Sequence, residues 1–423
     1  MKWQSYKLKE VGEVVTGKTP PTTQREYYGT QYKFIKPTDM REGQRYVPIT
    51  EEYYSELAYQ KYRKSLLPVN TPCVVTIGSL GKKMCLTDEP SFTNQAVNAV
   101  IPNENFDGEF LYYCLRTRLP YVKQLDSGTT SGRENVSKSS FSNIVIEAPS
   151  LAIQKRIASI LSAYDNLIEN NNKRIKILEQ MAENLYKEWF VRFRFPGHET
   201  TRFVPSNMGK IPSTFTLAKM QDVFEYYIGG GWGEDEYSSD FPVEAKVIRG
   251  ADFPFVERGD LGTCPNRFHK ESNYKARKLE PGDIILEVSG GTAEQPVGRT
   301  ILVSQQMLDR FNGQVICASF CKLVRLKKET ISPIYFYYWM QFLYETRIID
   351  RFQLQSTGII NFKFEYFLKK GDVMLPPSEI MKKFEDLVSP IHAQIEKLAM
   401  ETENLIKQRD LLLPRLMSGK LAV

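Results

Sequence analysis

Histidine is nearly missing from this 423-residue chain, which holds only His198, His269 and His392. Cysteine is sparse as well: Cys73, Cys85, Cys114, Cys264, Cys317 and Cys321 are scattered without CxxC spacing. That excludes the ligand pattern of a structural zinc and suits a reducing compartment. Cys264 and His269 are close in sequence, but two donors are not a ligand set, so no metal is expected. There is no uninterrupted apolar run of bilayer length, and Met1–Lys7 has no apolar stretch behind its charges. A soluble cytoplasmic protein without a membrane partner is the expectation. A dominant charge is lacking too: 56 basic against 50 acidic residues leave +6, which is compatible with nucleic acid without requiring it. Signatures of catalysis are also wanting, with no GxSxG, no HExxH and no Asn/Asp-Pro-Pro-aromatic motif; Pro376-Pro377 has neither flank of the last. No catalytic residue and no cofactor are therefore assigned to this chain.

One segment does imitate a nucleotide site. Gly12-Glu13-Val14-Val15-Thr16-Gly17-Lys18-Thr19 matches the phosphate-loop pattern GxxxxGK[ST]. That pattern needs a buried strand before it and a helix starting at its end, so that backbone N–H groups point at phosphate. Here Pro20 and Pro21 follow at once and push Thr19 and Pro20 away from helical dihedrals. Leu8-Lys9-Glu10-Val11 is too short and polar for the preceding strand. An NTPase is the rival this segment raises, and a protein-binding scaffold is another.

What the chain does have is a globular composition, 42% hydrophobic and 12% aromatic, at a length that calls for more than one core. It also repeats itself. Glu10–Gly17 corresponds to Asp222–Gly229, and Phe34–Asp39 to Val247–Asp252. Pro72–Thr76 corresponds to Gly282–Leu286 or its neighbour, Phe110–Tyr113 to Tyr335–Tyr338, and Ser127–Thr129 to Ser356–Gly358. Ala148-Pro149-Ser150 and Pro376-Pro377-Ser378 each open a stretch of helical period. Six landmarks in one order describe a duplication.

Each repeat combines a mixed domain of short β-rich runs and an aromatic helix with one long helix. From 151 to 190, Leu161, Ile168, Ile175, Ala182 and Trp189 recur every seven residues, with Asn171, Leu178 and Leu185 interleaved. Asn171 is the polar position that would fix register. The last helix carries Phe384, Ile391, Leu398, Leu405 and Leu412, with Ile395 beside them, weakened by Thr402 and Arg409 and kinked or delayed at Pro390. A helix of about 38 residues spans on the order of 57 Å, and its stripe needs cover. The two stripes are expected to cover each other as an antiparallel coiled coil with a pseudo-twofold axis. The fold class is α+β: two repeated mixed α/β domains at 1–148 and 213–375, separated by long helices at 149–195 and 376–423, with a turn-rich linker at 196–212. Tyr112-Tyr113 and Tyr337-Tyr338-Trp339 are read as core rather than base-stacking residues.

These landmarks resemble the specificity subunits of type I restriction-modification systems. The resemblance covers essentially the whole chain. It lies in Thr16-Gly17-Lys18-Thr19-Pro20, in Ser206 to Pro212, in Pro149-Ser150-Leu151-Ala152-Ile153-Gln154-Lys155-Arg156-Ile157 and in Leu413-Pro414-Arg415-Leu416-Met417-Ser418-Gly419-Lys420-Leu421. The chain departs from the family at Ile153-Gln154, where Glu-Gln is usual, and at Pro377-Ser378-Glu379-Ile380, where the Gln is lost. The resemblance implies two target-recognition domains reading an asymmetric, bipartite site on double-stranded DNA. It further implies two copies of a DNA adenine methyltransferase subunit and an ATP-dependent restriction subunit as partners, to which S-adenosylmethionine, ATP and magnesium belong.

DNA contacts divide into phosphate clamps and base readers, and turn residues with basic or small polar side chains suit both. In the first domain these are Lys18, Lys36, Lys82, Lys83, Thr129, Thr130 and Arg133. In the second they are Arg249, Arg299, Ser356 and Thr357. Lys36 and Arg249 stand out because the repeat places a cation at that point twice, and a basic side chain on a guanine edge is the commonest specific contact. Gly128 and Gly358 would let backbone approach closely.

Overall fold

The computed structural model describes residues 3–126, 134–257, 263–292, 295–356 and 359–423. Compact packing divides the chain into one unit of Met1–Glu169 with Asn404–Val423 and another of Asn170–Glu403.

The duplication is visible strand by strand. In the first unit Gly12–Thr16, Val97–Pro102, Pro72–Val75 and Met84–Leu86 lie side by side in an antiparallel sheet. In the second, Phe224–Gly229, Cys321–Leu326, Ile284–Glu287 and Thr300–Leu302 take the same order. A three-stranded sheet accompanies each. Tyr28–Ile35 is flanked by Glu52–Tyr54, antiparallel, and Ser91–Thr93, parallel. Val243–Ile248 is likewise flanked by Asn266–His269, antiparallel, and Val315–Cys317, parallel. The pairs Gln4–Lys7 with Val145–Ala148, and Thr216–Lys219 with Asp372–Leu375, close the two units in the same way. Only the second shows, among the described residues, a further sheet of Ser289–Gly291, Ile359–Phe362 and Gln353–Ser356.

The strands are short because turn residues cut them at regular intervals, and their alternate apolar side chains meet one aromatic helix per unit. In Gly108–Gln124, Asp107 caps the first turn by accepting the Phe110 N–H at 2.9 Å. Ser332 caps Pro333–Glu345. Tyr112, Tyr113, Tyr338 and Trp339 are buried, as read from the sequence. The imitation phosphate loop is a strand: Gly12–Thr16 pairs along Val97–Pro102, so its amides serve the sheet. Leu8–Val11 ahead of it is a single helical turn. The expected linker holds a hairpin, Phe203–Ser206 with Gly209–Pro212.

The heptad helices form at Leu151–Tyr186 and Ser378–Met417, the first ending in a π-helical turn at Lys187–Val191. Pro390 neither delays nor interrupts the second. It sits on the exposed face, where the carbonyl it leaves unbonded meets solvent.

Within the second unit Ile175 and Leu178 pack with Ile391, Ile395 and Leu398. Further on, Ala182, Leu185, Tyr186 and Trp189 join Phe384 and Val388. Numbers rising on one helix against falling numbers on the other mean antiparallel packing. Within the first unit Leu161 shares a core with Leu412, Leu413 and Leu416. Ile168 is buried and Leu405 half-buried. Asn171 is buried, and its Nδ2 has no hydrogen-bond partner.

Arg409, which breaks the apolar seam in the sequence, is 5% exposed and donates to Asp165 at 2.6 Å. Tyr113 Oη donates to the same carboxylate at 2.5 Å. The seam there is an ion pair closed by a phenol, so its polarity is satisfied rather than left as a gap.

Candidate nucleic-acid interface

The repeat aligns two loop entrances residue by residue. Gly17 N–H donates to the Val97 carbonyl and Lys18 N–H to Thr93; Gly230 N–H donates to Cys321 and Gly231 N–H to Cys317. Gly17 therefore corresponds to Gly230, one residue later than the sequence alignment to Gly229. The reason is steric: a Cβ at either glycine would stand about 2.2 Å from a backbone carbonyl oxygen, of Thr93 or of Ala318. No other residue admits so close an approach.

Beyond these glycines the two units diverge. Lys18 is exposed while its backbone is held, its carbonyl accepting the Tyr54 hydroxyl. The ammonium thus projects from a fixed base. Its counterpart Gly231 leads into Trp232, 41% exposed, whose ring lies 4.8 Å from the Arg267 guanidinium. Arg277 donates to the Gly229 carbonyl at 2.9 Å. Trp232, Arg267 and Arg277 were not among the sequence candidates, and the three glycines before Trp232 are the one signal that the loop there differs from Gly17-Lys18.

Lys36 and Arg249 do occupy equivalent turns. In each, an aspartate three residues on accepts the backbone N–H, Asp39 at 2.7 Å and Asp252 at 3.0 Å. Their charges are spent inside the unit. Lys36 Nζ lies 2.7 Å from Glu51 and 3.0 Å from Glu52. Burial disfavours its charge, but these carboxylates outweigh that and raise its pKa. Arg249 grips Asp252 through Nε and Nη2, both at 2.9 Å, and Nη2 reaches the Thr263 carbonyl at 2.8 Å. Asp252 is buried, which pushes its carboxyl up, yet the bonds from Arg249 and Thr263 hold it below the usual range.

Arg299 is likewise engaged, with Glu287 at 2.6 and 2.8 Å and the Gly250 carbonyl at 2.8 Å. Lys83 donates to the Pro37 carbonyl at 2.9 Å. In this structure these four cations are engaged by carboxylates or carbonyls of their own unit and shape its turns. Lys82 is exposed beside Gly81, whose positive φ turns the backbone there. Thr129, Thr130, Arg133, Gly128, Thr357 and Gly358 lie outside the described residues, as does the side chain of Ser356.

The arrangement offers an exposed lysine on a clamped loop in one unit and an exposed indole in the other, the latter backed by the buried Arg267, which is paired with Asp235. Both chemistries suit DNA, the first phosphate, the second a groove edge or an unstacked base. Among the described residues no group of three or more His, Cys, Asp or Glu is placed to hold a metal ion. No described helix is long and apolar enough to cross a membrane.

Comparison with known proteins places these features. Residues 1–180 match the model of the type I restriction modification DNA specificity domain. The chain is 27% identical over 442 residues to the type I restriction enzyme MjaIX specificity subunit of Methanocaldococcus jannaschii, covering all of this chain and 94% of that protein. It is 35% identical over 175 residues to the HindI specificity subunit of Haemophilus influenzae, covering 40% of this chain and 38% of that one. In fold it is similar to a type I restriction-modification S subunit from M. genitalium, with a TM-score of 0.63 at 16% identity, covering 98% of this chain and 96% of that one.

Proposed function

We infer that this chain, a member of the type I restriction-modification specificity subunits, reads DNA sequence for a complex whose methyltransferase and restriction subunits perform the chemistry. It is a non-catalytic subunit. We propose that each unit reads one half of an asymmetric bipartite site. The observation that carries this is the divergence just past Gly17 and Gly230: one frame, built twice, presents exposed Lys18 in one copy and exposed Trp232 in the other. Equal readers would suit a palindrome, whereas unlike readers require unlike half-sites.

The family resemblance implies two methyltransferase copies, which the duplication would suit with one per repeat, and it implies S-adenosylmethionine, ATP and magnesium for the partner subunits. The site of action is the cytoplasm, where the DNA is. Methylome sequencing with and without the gene tests the reading, since it returns both half-sites and their spacing. Two unlike half-sites are expected, and a palindrome overturns it. Adding one heptad to each long helix should lengthen the preferred spacer; an unchanged spacer would remove the long helices from that role.

A further inference from the structure

Each glycine frame rests against a tight turn, and the two turns match bond for bond while one corner differs. In the first unit Asn94, Gln95, Ala96 and Val97 form a turn closed by the Val97 N–H on the Asn94 carbonyl at 3.1 Å. In the second, Ala318, Ser319, Phe320 and Cys321 form its counterpart, closed by the Cys321 N–H on the Ala318 carbonyl at 2.8 Å. Both are tied down alike. The Asn94 N–H donates to the Ile35 carbonyl at 3.2 Å and the Ala318 N–H to that of Ile248 at 2.8 Å, each the last residue of its strand. The third turn residue accepts from the residue that follows the next strand, Ala96 from Thr76 at 2.8 Å and Phe320 from Val288 at 2.9 Å. Ala96 and Phe320 therefore occupy one corner. Ala96 is half-buried, whereas Phe320 is 61% exposed.

The neighbouring loop changes in the same sense. Counted on from Gly17 and Gly230, Thr19 corresponds to Trp232. In the first unit the Thr19 hydroxyl donates to Gln95, so turn and loop both carry hydrogen-bonding groups. In the second unit the same turn and loop carry an exposed phenyl ring and an exposed indole.

The turn itself does not need the ring, since alanine closes it in the first copy, and an exposed phenylalanine forgoes the transfer free energy that burial gives. A phenyl ring has no donor or acceptor with which to read a base edge. Against DNA it either touches a thymine methyl or stacks on a base. Alanine at the same corner already serves a methyl contact. The stacking face is what phenylalanine adds, and the bonds on both sides of Phe320 hold it on a backbone that does not give way under load.

We propose that Phe320 is a wedge that enters one base step of the half-site read by the second unit, unstacking and bending the duplex there. The first unit, with Ala96, leaves its half-site stacked. The proposal rests on the reading of the second unit as a sequence reader and adds a source of selectivity to it. The opened step is chosen for its ease of unstacking, which favours a pyrimidine–purine step, rather than through contacts to base edges.

The test uses the full chain assembled with its methyltransferase subunits, on duplexes carrying the recognised site with 2-aminopurine placed in turn across both half-sites. A base extruded by the methyltransferase gives a signal of its own, which no change at Phe320 should remove. Beyond it, wild type should show one further rise in fluorescence, in a single half-site. Phe320→Ala, which installs the residue the first unit carries at this corner, should keep the melting temperature, abolish that rise and weaken specific binding about tenfold. Absence of the further rise, or its persistence in Phe320→Ala, overturns the wedge. So does a loss of affinity on replacing thymine by uracil in that half-site that wild type shows and Phe320→Ala does not, since it assigns the ring to a methyl group. A wild-type complex that binds its site no better than unrelated duplex would overturn the recognition reading, and the wedge with it.

Discussion

Arg409 and Asp165 sit 244 positions apart in the chain and 2.6 Å apart in space, both buried, while the other side of the guanidinium meets Asp410 at 2.9 Å. Such a pair is costly to break and cheap to replace. Arg409→Leu should lower stability by about 3–5 kcal/mol, because Asp165 is left charged and buried with only Tyr113 to bond it. Asp165→Leu combined with Arg409→Leu should recover most of that. Urea denaturation of the three chains checks it, and a double variant as unstable as the single one would refute the account.

Lys18 and Lys36 should separate in their effects. Lys18→Ala removes an exposed charge from a fixed loop, so affinity for duplex DNA should fall and the salt dependence should lose about one unit of log–log slope. Lys36→Ala removes a cation already paired with Glu51 and Glu52 and should leave that slope alone. Fluorescence anisotropy across a salt series distinguishes them.

Arg299 grips Glu287, a carboxylate 3% exposed in the second unit's sheet. Arg299→Ala should destabilise that unit by about 3 kcal/mol through the unpaired acid. Hydrogen exchange should register the loss in Ile284–Glu287 and Thr300–Leu302 while the first unit's sheet keeps its protection.

His392 predicts a pH dependence. Its folded pKa lies near 4, below its ordinary value of 6.5, because burial disfavours the imidazolium. The unfolded chain therefore binds the extra proton first, and stability falls as pH drops from about 6.5 to 4, with none of this loss above that window. Comparing wild type with His392→Gln isolates it, since Glu396, whose carboxyl burial pushes up, titrates with the opposite sign in both. The difference between the two chains should change by about 2–3 kcal/mol across the window. A constant difference would contradict the burial of the ring.

The duplication, the aromatic core helices and the heptad stripes were legible because each is written in local spacing. Charges were not, because their partners are remote. Lys36 stands alone in sequence until Glu51 and Glu52, 15 and 16 residues on, are folded onto it. Arg409 looks like a flaw in the stripe until Asp165 arrives, and nothing near Arg45 in sequence announces Glu169, whose carboxylate it meets at 3.1 Å. The one-residue shift at Gly230 was hidden for a different reason. Three glycines in a row offer no side chain to align, and only the approach of Ala318 distinguishes them.

The first unit takes its last piece, Asn404–Val423, from the far end of the chain. Until those residues leave the ribosome, Leu161 lacks Leu413 and Leu416, and Asp165 lacks its counter-charge. Synthesis interrupted anywhere earlier yields an amino-terminal half with an open, sticky flank that chaperones and proteases recognise. A chain lacking Asn404–Val423 should therefore be degraded faster than one that carries it.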